Sequence, residues 1–117
     1  MKINQREVYG AVVLDLQGKL TGGPEAETFR TIFKNLINEE KKKIIVNLEK
    51  VSWINSTGLG ILISGYTTVR RAGGDLVLTH VSDRIESILY VTKLNLLFKA
   101  FETEEEALKS LEKGPEK

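Results

Sequence analysis

The sequence predicts an α/β fold, a mixed and mostly parallel β-sheet flanked by about four helices. Two patterns carry this prediction: short runs of consecutive aliphatic residues, and longer segments whose apolar residues recur every three or four positions. Runs of the first kind are typical of strands covered on both faces. The patterns alternate in the order β-β-α-β-α-β-α-(β)-α, with the bracketed strand short, which implies parallel pairing through right-handed crossovers.

The first two strands are predicted to form a hairpin, which adds the antiparallel element. Residues 3–7 and 11–16 are strand-like, and Tyr9 and Gly10 lie between them as the turn. The segment GKLTGG then interrupts the pattern, and Pro24 suits the first position of a helix. Apolar residues at helical spacing follow, and they define its buried face: Phe29, Ile32, Phe33, Leu36 and Ile37.

Residues 44–48 and 76–78 are predicted as buried strands on either side of a second helix. That helix follows Ser56 and ends at the glycine pair Gly73 and Gly74, since glycine is favoured just beyond a helix C-terminus. Six of its residues lie at helical spacing: Leu59, Leu62, Ile63, Tyr66, Val69 and Arg70. The core-facing stripe is predicted to contain Leu59, Leu62, Ile63 and Tyr66.

The last third of the chain is predicted to contain two more helices and a short strand. Ser82 is a candidate N-cap for the third helix. Residues 96–101 are apolar enough for a short strand. Thr103 and Glu106 then form the capping box T-x-x-E of a final helix. We expect one domain over residues 1–112 and a frayed tail over 113–117, because that tail is charged and contains Gly and Pro.

Composition restricts the classes of function. The chain has 117 residues, no cysteine, one histidine and a net charge of +1. These values argue against disulfides, thiolate catalysis, a structural zinc site and electrostatic binding to nucleic acid. No apolar run reaches the length of a membrane span, and the N-terminus lacks the apolar core of a signal peptide. We therefore expect a cytoplasmic protein with no membrane insertion, no cofactor and no metal.

The main functional question is the role of Ser56 in the stretch VSWINSTGLGILISGY. A predicted strand there leads into a predicted helix through the polar triplet Asn55, Ser56 and Thr57. A hydrolase would need His80, the only histidine, and the nucleophile elbow G-x-S-x-G is absent. We therefore expect no catalytic residue. The glycines match neither a P-loop nor a complete dinucleotide fingerprint.

Two interpretations of Ser56 remain from the residues alone. Ser56 or Thr57 could be the N-cap, which is worth about 1 kcal/mol. Alternatively, Ser56 could accept a phosphate, because a helix N-terminus offers unpaired N–H groups and a positive dipole end. A phosphoserine there would carry about −1.5 to −2 charges and would alter partner docking without unfolding the domain.

The residues around Ser56 resemble a known family pattern. Asn55 to Gly60 follow the motif D-S-[ST]-G-L-G, and the glycine pair then precedes an apolar strand. Weaker matches are the early Gly18-Lys19-Leu20 and the closing Leu97-Phe98 and Glu104-Glu105-Glu106-Ala107-Leu108. In this order, the pieces resemble the STAS domain of bacterial anti-sigma factor antagonists across nearly its whole length.

The resemblance implies a function as well as a STAS-type fold. It implies a protein, not an enzyme, that binds an anti-sigma factor with serine kinase activity and so releases a sigma factor for transcription. The kinase would phosphorylate Ser56 and end the binding, and a serine phosphatase would restore it. The partner-binding segment would be Asn55, Ser56, Thr57, Gly58, Leu59, Gly60 and Ile61, and we expect Ile61 to point away from the core.

Two residues depart from the family pattern. Asn55 replaces the usual Asp before the serine, and Thr21 replaces a frequent Asp after the early turn. Both changes remove negative charge near Ser56. They leave open an alternative in which the chain is an unphosphorylated assembly module of a signalling scaffold or a lipid-transport complex. The sequence does not distinguish a monomer from a dimer.

Overall fold

A computed structural model of the chain describes residues 1–113, and its centre is a five-stranded sheet in the order β1-β2-β3-β4-β5. The strands are β1 Lys2–Val8, β2 Ala11–Leu20, β3 Lys43–Ile54, β4 Asp75–Thr79 and β5 Ala100–Phe101. The helices are α1 Pro24–Asn38, α2 Ser56–Arg71, α3 Asp83–Val91 and α4 Glu104–Glu112, with a 3₁₀ turn at Leu94–Leu96. The predicted order of elements is confirmed. The tail predicted over 113–117 lies, apart from Lys113, outside the described residues.

The hairpin is the only antiparallel pairing that this part of the chain forms. β1 pairs antiparallel with β2, and Tyr9 and Gly10 both have positive φ, at 48° and 82°. Positive φ at both central residues matches the two-residue turn whose twist suits a hairpin. The remaining strands pair parallel to one another, so the sheet is mixed and mostly parallel as predicted.

Helices cover both faces of the sheet. α1, α2 and α3 lie on one face, over a large apolar cluster that includes Leu14, Val46 and Leu78. α4 lies on the other face, where Ala107 and Leu111 contact a smaller cluster: Ala11, Val13, Ile45 and Val77. Burial on both faces explains why consecutive residues of β3 and β4 are apolar.

β2 and β3 are longer than the apolar runs that predicted them. β2 continues to Leu20, and β3 continues beyond its last pair with β4 at Asn47 to end at Ile54. The two strands stay paired over this extension through two register irregularities, one of them at Gly18, whose φ is 114°. Polar side chains interrupt the apolar pattern there, so the extension depends on pairing between the strands rather than on a local sequence signal.

Parallel pairing gathers the carboxyl ends of β2, β3, β4 and β5 at one edge of the sheet. All four helices begin at this edge. Ser82 and Thr103 cap α3 and α4 as predicted, each accepting a hydrogen bond from the backbone N–H three residues later, at 3.3 and 3.2 Å. Gly73, with a φ of 89°, follows the end of α2 as predicted. In open α/β sheets, binding sites concentrate at the carboxyl edge.

Candidate functional site

The start of α2 is capped by Asn55. Its backbone is extended, and its Oδ1 accepts a hydrogen bond from the Gly58 N–H at 2.8 Å. Its Nδ2 donates to the backbone carbonyl of Thr21 at 3.2 Å, which links the helix start to the loop after β2. The interpretation in which Ser56 or Thr57 is the N-cap was therefore wrong. The side chain of Asn55 reaches the same orphan donor from one residue earlier, and Asn ranks with Ser among the preferred caps.

Ser56 is the first residue of α2, and both Ser56 and Thr57 are exposed. Among residues 1–113, neither hydroxyl forms a hydrogen bond to a side chain or backbone group. The first turn of α2 also contains no acidic residue. Backbone N–H groups of a first helical turn lack intrahelical acceptors, and the helix dipole favours negative charge there. A phosphate on Ser56 would therefore meet a favourable electrostatic environment within its own turn.

The loop after β2 lies directly against this helix start. A Cβ on Gly58 would collide with the carbonyl oxygen of Leu20, and a Cβ on Gly22 would collide with the side chain of Thr57. Gly22 also has a φ of 97°, which disfavours other residues. The Asn55 N–H adds a backbone hydrogen bond to the Leu20 carbonyl at 3.3 Å. These contacts hold Ser56 on a tightly connected part of the domain.

Three of the seven predicted partner-binding residues are buried: Gly58, Leu59 and Ile61. Ile61 is 8% exposed and belongs to the main core, so the prediction that it points away from the core was wrong. The reason is that α2 packs against α1 as well as the sheet, which makes its buried surface broader than one stripe. The segment can therefore present only Asn55, Ser56, Thr57 and Gly60 to a partner.

Gly60 differs from the other glycines of α2. It is exposed, and a Cβ built on it would have no atom within 4 Å. Glycine inside a helix costs about 0.5–1 kcal/mol relative to alanine, and no close contact within the described chain requires it here. The open space above Gly60 leaves its backbone accessible to close approach by another molecule.

Gly60 lines a groove of about 500 Å³ between α1 and α2, which we call the α1–α2 groove. Its apolar lining includes Phe29, Phe33 and Ile61, and its hydroxyl groups come from Thr57, Ser64 and Thr68. Its charged lining residues are Arg30 and Lys34, and Arg30 also pairs with Glu27 at 2.7 Å. Thr57 and Gly60 line this groove and also belong to the exposed surface around Ser56, so the two surfaces are continuous.

His80 lies away from this groove. It follows β4 with a φ of 55°, its Nδ1 is buried, and that atom has no hydrogen-bond partner among residues 1–113. His80 lines a different groove, beside α3 and β5, which Ser56 does not line. The structure thus brings Ser56 and His80 to one edge of the sheet without placing them in one pocket. In the described part of the chain, no three His, Cys, Asp or Glu residues form a group that could hold a metal ion.

Trp53 is a surface residue of this edge that the sequence reasoning did not select. Its side chain is 42% exposed although it lies in β3, and the guanidinium of Arg84 sits 6.0 Å from its ring centroid. Such a distance falls within the range of a cation–π contact. The available signal in the sequence was an aromatic residue two positions before Asn55, close to the polar triplet.

A comparison with protein families matches residues 2–107 to the STAS domain. The chain belongs to the STAS-domain family. The predicted family and fold class are thereby confirmed. Among curated relatives, the anti-sigma-B factor antagonist of Bacillus subtilis is 27% identical over 82 residues, which cover 68% of this chain and 75% of that protein.

Solved structures agree with this assignment at the level of the fold. The NMR structure of the Thermotoga maritima protein TM1081 superposes with a TM-score of 0.84 at 23% identity, covering 96% of this chain and 90% of that one. The Bacillus anti-sigma factor antagonist SpoIIAA, in its unphosphorylated form, gives a TM-score of 0.73 at 22% identity and covers 95% and 98% of the two chains. SpoIIAA has also been solved in a phosphorylated form.

The Bacillus subtilis relative and SpoIIAA are both named as anti-sigma factor antagonists. Within residues 1–113, no helix of this STAS domain combines the length and apolar character that crossing a membrane requires. Among the groups at the carboxyl edge of the sheet, the exposed start of α2 is the leading candidate for a functional surface.

Proposed function

We propose that this STAS domain is an anti-sigma factor antagonist that phosphorylation of Ser56 switches off. Its partner would be an anti-sigma factor with serine kinase activity, and a serine phosphatase would reverse the modification. Names of curated relatives support the antagonist assignment. ATP and magnesium would be bound by the kinase, not by this chain.

The observation that carries the proposal is the division of roles between Asn55 and Ser56. Asn55 caps the helix, so the exposed hydroxyl of Ser56 is not needed to hold α2 in place. A kinase can reach that hydroxyl without unfolding the helix start. The phosphate would add about −1.5 to −2 charges to the surface where the partner docks, while the dipole of α2 would make the modification tolerable to the domain.

The proposed docking surface is the exposed part of Asn55, Ser56, Thr57 and Gly60, continued by the α1–α2 groove. Gly58, Leu59 and Ile61 would support this surface from beneath. A phosphate on Ser56 would lie next to the mouth of the groove, because Thr57 is one of the groove's lining residues. Added charge and lost shape complementarity would then weaken binding together.

The proposal is tested by isolating the partner and assaying the modification. The full chain is used to capture its binding partner from an extract of its own cells, and the pair is incubated with ATP and magnesium. We expect mass spectrometry to find phosphate on Ser56 of the wild type and of Thr57→Ala, and none on Ser56→Ala. Ser56→Ala should still bind the kinase, whereas Ser56→Asp should bind it more weakly, as a partial mimic of phosphate.

Other results would redirect the assignment. Phosphate on Thr57 alone would move the switch by one residue. Stable binding to the captured partner with no phosphate on either residue would favour the alternative, an assembly module of a signalling scaffold or a lipid-transport complex. Ser56 would then be only an exposed residue of the first helical turn.

A further inference from the structure

A second surface, formed by α3 and the segment after it, exposes an unusual number of apolar side chains. Seven large apolar residues are exposed in the described part of the chain, and four of them lie between residues 90 and 97. Tyr90, Val91 and Leu96 are 72%, 78% and 82% exposed, and Leu97 is 37% exposed. Single exposed apolar residues are ordinary, whereas larger exposed apolar patches mark interaction sites, so this segment is a place to search for one.

Tyr90 and Val91 form one side of a groove of about 930 Å³ beside β5, which we call the α3–β5 groove. Leu89 and Phe98, which are 3% exposed each, also line it. The groove runs along Ala100 and Phe101 of β5. Because β5 is the last strand of the sheet, its outer edge has no strand partner within residues 1–113 and leaves main-chain groups available for an extended segment.

The charged groups of this groove have one sign. Asp83, Glu86 and Glu102 line it, and no lysine or arginine does. Lys93 and Lys99 are close in sequence, but neither side chain is part of the lining. The α1–α2 groove has the opposite character, since its charged lining residues are Arg30 and Lys34. One partner segment would therefore not suit both grooves.

We propose that the α3–β5 groove binds a short segment of another protein in which lysine or arginine side chains flank apolar ones. The apolar side chains would cover Tyr90 and Val91 and enter the space above Leu89 and Phe98. The basic side chains would pair with the carboxylates of Asp83, Glu86 and Glu102. This surface uses neither Ser56 nor the α1–α2 groove, so the chain could hold this segment in both states of the proposed switch.

The test uses the full chain and two fluorescein-labelled peptides, the basic LKFKLK and its acidic counterpart LEFELE, in fluorescence anisotropy titrations. We expect the basic peptide to bind at least tenfold more tightly than the acidic one, and its affinity to fall as salt is raised. Tyr90→Ser and the charge reversal Glu102→Lys should each weaken the basic peptide at least fivefold. Glu112→Lys, the same charge reversal on α4 outside the groove, should change its affinity less than twofold.

Several outcomes would overturn the proposal. Equal affinity for the two peptides would show that the groove does not select basic side chains. Equal losses in Glu102→Lys and Glu112→Lys would show only a general attraction to acidic surface. Self-association of the wild type in light scattering, abolished by Tyr90→Ser, would show that a second copy covers the patch. Because Ser56→Ala should bind the peptide as the wild type does, failure here and failure of the phosphorylation switch are separate results.

Discussion

The side chain of Asn55 forms two hydrogen bonds of opposite sense, and this explains why the neighbouring serine is available. Its Oδ1 accepts from Gly58, and its Nδ2 donates to Thr21, so one amide joins the start of α2 to the loop after β2. We expect Asn55→Ala to lower the free energy of unfolding by about 1–2 kcal/mol. Ser56→Ala, an exposed change one residue away, should stay within about 0.5 kcal/mol of the wild type.

Urea unfolding followed by circular dichroism measures both variants, and Asn55→Asp adds an intermediate case. An ionised aspartate still caps the helix but cannot donate to the Thr21 carbonyl, so its stability should lie between those of the wild type and Asn55→Ala. If the proposed switch operates, Asn55→Asp should also change the rate at which the proposed kinase modifies Ser56, because it adds a carboxylate beside that serine. A larger loss in Ser56→Ala than in Asn55→Ala would contradict the capping role of Asn55.

Ile61 leads to a second prediction at this scale, since its burial was missed by reading one helical stripe. Ile61→Ala should cost about 2–4 kcal/mol, because it removes a side chain from the core beside α1. Ile63→Ala, a matched change at a partly buried position of α2, should cost less. Thermal unfolding of the two variants decides the point. Equal losses would mean that Ile61 is no better packed than Ile63.

At the scale of an element, α2 contains two glycines in one turn that we expect to respond oppositely to the same substitution. Gly58→Ala forces a Cβ against the Leu20 carbonyl, so α2 and β2 must separate and the domain should lose stability. Gly60→Ala places its Cβ in open space and should raise the free energy of unfolding by about 0.5–1 kcal/mol. Chemical denaturation measures both.

The same pair tests the proposed docking surface. If the partner approaches the backbone at Gly60, then Gly60→Ala should weaken partner binding while it stabilises the free domain. A variant that is destabilised, as Gly58→Ala should be, cannot separate these effects, but a stabilised variant that binds less well can. Unchanged affinity of Gly60→Ala in calorimetry would show that the partner does not approach this position closely.

Elements were more predictable from the sequence than their contacts. The buried runs of β3 and β4 and the N-caps at Ser82 and Thr103 are local signals, and each is found where it was predicted. The capping box is only half formed, because the Glu106 carboxylate accepts from the Thr103 hydroxyl at 3.1 Å instead of from the Thr103 backbone N–H. The extension of β2 to Leu20 and the burial of Ile61 depend on neighbours distant in sequence. For the candidate site, the polar triplet was correctly placed at the start of a helix. The N-cap was assigned to Ser56 or Thr57 because Asn55 and Ser56 are chemically equivalent candidates until the backbone geometry is known.

At the scale of the whole molecule, a charged network connects both ends of the chain. Arg6 in β1 forms two hydrogen bonds to the carboxylate of Asp15 in β2, at 2.6 and 3.0 Å, and a third to Glu104 in α4 at 2.8 Å. Asn47 of β3 donates to the same carboxylate at 2.8 Å. The hydrogen bonds from Arg6 are the main reason why the pKa of Asp15 lies below its ordinary value of 3.8, and Asn47 adds to this effect.

This lowered pKa predicts how stability depends on pH. The pKa of Asp15 is lower in the folded than in the unfolded protein. The contribution of its carboxylate to the free energy of unfolding is therefore fully present above the ordinary value of 3.8, and it is lost as the pH falls through the folded pKa.

Asp15→Asn should lower the free energy of unfolding by about 1 kcal/mol at pH 7, since the ion pair is partly exposed. The difference from the wild type should shrink when both are unfolded well below pH 3.8, because the wild-type carboxylate is then protonated too. Arg6→Gln, which removes the main cause of the shift, should converge with the wild type over the same acid range. Unfolding curves at neutral and acid pH for the three proteins provide the measurement, and a constant gap between wild type and Asp15→Asn would mean that β1, β2 and α4 do not depend on the charge of this carboxylate.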